Sequence, residues 1–152
     1  MDEKIMNTAR KRFDKVLMDS LREYKETLSC FKKDGVLWVA DDGVLMHYYE
    51  LDYLLDRDKL LSNDRIGDVI DRVGRYGITI PAEITKRITL SGGSLLYAVF
   101  SDGVNNEICV PDKSYKIFGD KFIYCIHSGT LAVYNKNELC GIISPLKFKE
   151  ED

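Results

Sequence analysis

The stretch Ile123–Gly129, IYCIHSG, sets Cys125 two residues before His127. A thiolate and an imidazole this close could hold half of a zinc site. They could equally form a nucleophile and its base. The chain has two histidines and four cysteines, at 30, 109, 125 and 140, with no C-x-x-C pair. Any further ligand must therefore come from a distant element, and strand register decides which one can reach.

Alternate residues of a strand share a face, so Cys125 and His127 point the same way. With Ser128-Gly129 as a two-residue turn, His127 faces Thr130 and Cys125 faces Ala132. With a second turn at 135–138, Tyr134 faces Leu139. One face then carries Ile123, Cys125, His127, Thr130, Ala132, Tyr134, Leu139, Gly141 and Ile143. The other carries Phe122, Tyr124, Ile126, Leu131, Val133, Cys140 and Ile142. Cys140 falls opposite Cys125, whereas a shared zinc needs each thiolate at about 2.3 Å. No acid is in place to orient His127, and His47 belongs to another strand. The expectation is a histidine at a sheet end and a small apolar cysteine inside. No metal, cofactor or catalytic residue is assigned. A site around His127, Cys125 and Tyr134 stays as the enzyme alternative.

The elements that place these residues read as an α+β domain. Ile5, Ala9, Phe13, Val16, Leu17, Leu21, Tyr24, Leu28 and Phe31 recur at helical steps. They predict one long amphipathic helix over 5–31 within residues 1–33, stopped by Asp34-Gly35. A hairpin over 34–50 bends at Asp41-Asp42-Gly43. Residues 51–77 read as helical, first LDYLLDRDKLL and then a helix capped by Ser62 or Asn63 and ended by Gly77. From 88 to 148 six short apolar runs alternate with turn-type separators. They predict a mostly antiparallel sheet with a C-terminal meander; SGGS, Ser91–Ser94, is read as a hairpin turn and 111–120 as a connection. The run NELCGIISPLKF, Asn137–Phe148, resembles the closing strand of bacterial sliding clamps in its apolar–Pro–apolar–basic ending. So short a match carries no function across.

At 152 residues the chain is expected to form one domain with a real core. The first twenty residues carry mixed charge and no apolar run, so no secretory signal is expected. No apolar run reaches the roughly 18 residues of a membrane span. The chain is read as cytoplasmic, with its cysteines free.

The net charge of −3 is small, but residues 1–33 hold nine Lys/Arg against six Asp/Glu and the remainder thirteen against nineteen. On the first helix Lys4, Lys11, Lys15, Arg22 and Lys25 are spaced to share one sector of about 80°. They are candidate contacts for an acidic protein surface or a phosphate backbone. Trp38, Tyr48 and Tyr49 are candidate aromatic anchors of an interface. Farther on, Asp64, Asp68 and Asp71 share a helix face, with Arg72 four after Asp68 and Arg75 four after Asp71. That spacing predicts intrahelical ion pairs. The leading expectation is a non-catalytic regulatory protein that modulates a larger protein, of the kind phages and mobile elements use as inhibitors or accessory factors. A nucleic-acid-associated factor is the first alternative, and a homodimer is left open.

Overall fold

A computed structural model describes residues 1–48, 57–89, 93 and 95–145. The first helix, α1, spans Glu3–Glu23, and Asp2 caps it by accepting the Lys4 and Ile5 amides. It ends a full turn before Leu28. Residues 28–33 form strand β1 (Leu28–Lys33), which pairs antiparallel with β2 (Val36–Asp41). The long helix expected to reach residue 31 is thus a shorter helix followed by a strand. Leu28 and Phe31 satisfy a helical period and also sit on opposite faces of a strand, and pairing with β2 settles the choice.

Asp34-Gly35 is accordingly a hairpin turn and not a helix stop. Both residues hold positive φ, 51° and 81°. That is the twist a two-residue hairpin needs, and glycine adopts it without a Cβ penalty. Strand β3 (Val44–Tyr48) completes the first hairpin pair across Asp42-Gly43.

The expected helical stretch 51–77 is corrected in part. Residues 51–56 lie outside the described set. Leu60–Ser62 form strand β4, which runs parallel to β1 at the sheet edge. Helix α2 then spans Asp64–Gly74, with Asn63 accepting the Arg65 amide. Strands β5 (Glu83–Thr89), β6 (Leu96–Ser101) and β7 (Glu107–Pro111) make a three-stranded antiparallel sheet. Most of SGGS lies outside the described residues. The 111–120 connection contains a third helix, α3 (Asp112–Phe118). Its seven residues are too short for a periodic signal to emerge.

The C-terminal meander is β8 (Ile123–His127), β9 (Thr130–Asn135) and β10 (Glu138–Ile143). It joins the first strands in one seven-stranded sheet of order β4-β1-β2-β3-β10-β9-β8. The expected register holds: His127 opposes Thr130, Cys125 opposes Ala132, and Tyr134 opposes Leu139. A β-bulge then intervenes between Leu139 and Gly141. The extra residue reverses the alternation that follows it. Ile142 therefore joins Cys125 and Ala132, while Gly141 and Ile143 turn to the other side, the reverse of the expected assignment.

Both faces of the large sheet are covered, in three layers. On one side α1 lays Met6, Ala9, Phe13 and Leu17 over Leu28, Val39, Met46, Tyr48 and Val133. The small sheet and α3 close the same core, with the rings of Phe100, Tyr115 and Tyr124 in mutual edge-on or tilted contact at 5.2–5.7 Å. On the other side, among the described residues, α2 covers Trp38, Leu45, Cys125, Ala132, Tyr134 and Ile142 with Ile66, Ile70 and Val73. At 1.5 Å per residue its eleven residues are about 16 Å long, against roughly 29 Å across seven strands. Among the described residues this one short helix does not roof the whole face, and troughs run along its flanks.

Candidate functional site

Cys125 and Cys140 lie in different cores on opposite sides of the sheet, so they cannot share a metal. Among the described residues no cluster of three or more His, Cys, Asp or Glu is placed to hold one. Cys125 is fully buried, and burial pushes the Cys30 and Cys140 thiols up. His127 is buried too. Its Nε2 lies 2.7 Å from the Gly77 carbonyl oxygen, which also accepts the Tyr134 hydroxyl at 3.0 Å. A carbonyl only accepts, so Nε2 carries a proton. Tyr76 stacks on the imidazole with centroids 5.0 Å apart. His127 and Tyr134 thereby clamp the chain just after α2 against the sheet.

The five cations of the basic stripe are split. Lys4, Lys11 and Lys15 stand exposed on α1. Arg22 pairs with Asp19 at 2.7 Å. Lys25 lies beyond the helix end and pairs with Asp41, a buried carboxylate that also accepts the Ser20 hydroxyl. Of the expected aromatic anchors, Trp38 is 5% and Tyr48 2% exposed, each in a core, and Tyr49 lies outside the described residues.

The other histidine couples α1 to the sheet. The buried Arg10 guanidinium reaches Glu3 and Asn7 at 3.0 Å and His47 Nδ1 at 2.9 Å. Guanidinium only donates, so Nδ1 accepts and His47 is neutral. Burial, and then the Arg10 charge, holds the His47 pKa below its ordinary value; Glu138 and Glu3 oppose the shift. The unfolded chain, with an imidazole pKa of about 6.5, takes its proton first as pH falls. The stability from this contact is complete above about pH 6.5 and declines below it, until the folded histidine also titrates. We expect His47→Asn, which keeps an acceptor for Arg10, to flatten the slope of urea midpoint against pH between about 6.5 and 5. An unchanged slope would show that His47 does not carry it.

The most distinctive surface is a trough of about 540 Å³ between α2 and the β2–β3 and β9–β10 strands. Its apolar lining includes Ala40, Leu45, Ile66, Val69 and Ile142, with Val44 and Pro145 at the border. Arg65 and Arg72 stand beside it, both exposed. Their spacing of seven residues returns them to the same side of α2, about 10 Å apart along its axis. The expected intrahelical pairing of Arg72 with Asp68 and of Arg75 with Asp71 does not form among the described residues; Asp71 instead pairs with Lys33 of β1. Nor has Arg65 or Arg72 a carboxylate within ion-pair distance among those residues. The acids of the trough are already engaged, Asp41 by Lys25 and Asp42 by Lys113. On the other flank of α2 a trough of about 640 Å³ sets Lys33 and Arg75 against Asp34, Asp71 and Glu138, with no such asymmetry.

The sequence held a signal for this site in the seven-residue spacing of Arg65 and Arg72. It was masked by acids at pairing distance on the same helix. No protein-family model matches the chain, and neither a curated protein nor a solved structure does. No helix among the described residues is long and apolar enough to cross a membrane.

Proposed function

We propose that the protein is a non-catalytic binding protein that engages a larger protein through the trough beside α2. The observation that carries this reading is an apolar trough of about 540 Å³ in a sheet face that, among the described residues, is roofed by one short helix. Its size falls within the roughly 300–1,000 Å³ of ordinary ligand sites. Its position leaves room for a partner segment to continue the cover that α2 begins. The reading also draws on the structural tasks of the two histidines, one clamping Gly77 and the other bonded to Arg10.

The test is affinity capture from the native cell with the intact protein, Val69→Glu, and the triple variant Lys4→Glu/Lys11→Glu/Lys15→Glu. Val69 is half-buried at the trough, and circular dichroism checks that each variant stays folded. A stoichiometric protein partner should be retained by the wild type and the triple variant and lost on Val69→Glu. Retention by Val69→Glu removes the trough from the reading. Nucleic acid captured by the wild type and lost on the triple variant would favour the basic face of α1 instead. Only three of its five expected cations stand clear of a carboxylate among the described residues, so its salt dependence would be shallow.

A further inference from the structure

We propose that the trough beside α2 selects an acidic, apolar peptide segment, one in which carboxylates bracket aliphatic or aromatic side chains. This deepens the reading of the trough as a protein-binding surface and rests on it. The argument begins with charge. Arg65 and Arg72 border the apolar lining without a carboxylate partner among the described residues, although Asp68 sits four residues before Arg72 in the favourable order for a helix pair. Lys25, also at the trough, neutralises the buried Asp41, and Lys113 engages Asp42. Among the described residues, the charge left to face a ligand is therefore the two guanidinium groups. Each offers a planar fork suited to a carboxylate. Asn63 caps the same end of α2, where the helix dipole adds positive potential near Arg65.

Shape and lining then choose among anions. The apolar residues, Ala40, Val44, Leu45, Ile66, Val69, Ile142 and Pro145, carry no aromatic ring. Single-stranded nucleic acid is held mainly by aromatic platforms on which bases stack, and this trough offers none among its described lining residues. Aliphatic walls instead suit Leu, Ile, Val or Phe side chains. The two forks stand about 10 Å apart along α2, a span of three to four extended residues. A peptide with a carboxylate at each end of such a stretch and apolar side chains between them satisfies both forks and the trough at once. A compact ligand with one carboxylate can satisfy only one fork.

The probe is a displayed library of random dodecapeptides, panned in parallel on the intact wild-type protein and on Arg65→Glu/Arg72→Glu. Both arginines are exposed, so the reversal should leave the fold intact, which circular dichroism verifies. The wild type should enrich peptides with at least two carboxylates around apolar residues, and the reversed protein should lose them. A synthetic enriched peptide should bind about tenfold or more weaker to Arg65→Ala/Arg72→Ala, as expected when two charge-assisted contacts are lost. Its binding should also weaken with salt, and it should shift the Val69 and Ile142 amide resonances. Enrichment of basic or uncharged peptides that still shift those amides overturns the acidic preference and leaves the trough as a protein-binding surface. Peptides that shift no trough amide, or a library that enriches nothing, overturn both. Displacement of the peptide by a short oligonucleotide at equal concentration would overturn the choice of a peptide ligand.

Discussion

Phe13→Ala is expected to destabilise the protein by about 3–5 kcal/mol, a large part of the 5–15 kcal/mol by which a domain is ordinarily stable. Phe13 is fully buried at the middle of α1, edge-on to Tyr48 of β3 with ring centroids 6.4 Å apart. It is the largest of the four side chains, with Met6, Ala9 and Leu17, through which the helix holds the seven-stranded sheet. Tyr48 is fixed by its strand and Met6 by its own burial, so little can move into the vacated volume. The loss then combines the transfer free energy of the ring with a cavity that stays open. Urea denaturation should show a lower midpoint at an unchanged slope. Phe13→Leu, which preserves most of the volume, should cost less than about 1.5 kcal/mol. A loss below about 1 kcal/mol on Phe13→Ala would mean that α1 is not docked through this row.

How far the sequence carried this picture depends on which interactions fix each element. The register of the meander was legible because Ser128-Gly129 is a two-residue turn, and strand alternation does the rest. Helix α2 was legible from its cap at Asn63 and its stripe of Ile66, Ile70 and Val73. The end of α1 was not, because Leu28 and Phe31 fit both periods and only pairing with β2 decides between them. A local signal did exist there: Asp34-Gly35 is the same kind of pair as Asp42-Gly43, and both take positive φ at both residues. Read alike, the two would have placed a strand before each. The bulge at β10 carries no such mark, since an extra residue is specified by what packs against the strand.

The trough was less legible still. Its lining comes from the β2–β3 hairpin, α2 and the β9–β10 strands, three parts that lie far apart in the chain. Its charge depends on which of several acids each cation finds. Asp68 and Arg72 have the spacing of a pair, but such pairs are worth only a few tenths of a kcal/mol. A term that small does not fix where an exposed arginine rests. Trp38 and Tyr48, expected as interface anchors, are buried, for the converse reason. Large aromatics dominate interfaces and cores alike, and here each strand places its ring inward.

The bulge leads to a second large expected effect. Gly141→Ala should destabilise by about 1–3 kcal/mol, the usual cost of overpacking a filled core. A Cβ at 141 would lie 2.3 Å from Phe118 Cζ and 2.7 Å from its Cε1, with the Leu45 carbonyl oxygen at 3.3 Å on the neighbouring strand. The ring has to give way, and it has little room. Phe118 is buried and packs edge-on against Phe122 at 5.5 Å. Its backbone carbonyl and that of Ile117 both accept from the Arg12 guanidinium at 3.4 Å, which ties the end of α3 to α1. A single methyl group at the bulge thus presses on the junction of β10, α3 and α1. Phe118→Leu shortens the obstructing group, so the double variant should be more stable than the sum of the single changes predicts. The coupling should be about 1 kcal/mol or more, within the range found for residues in contact. Additive losses in urea would show that Phe118 does not occupy the space that Gly141 leaves. Coupling of the expected sign would explain why the residue that follows the bulge is one with no side chain. The bulge turns position 141 toward α3, and the space there is already taken by a ring.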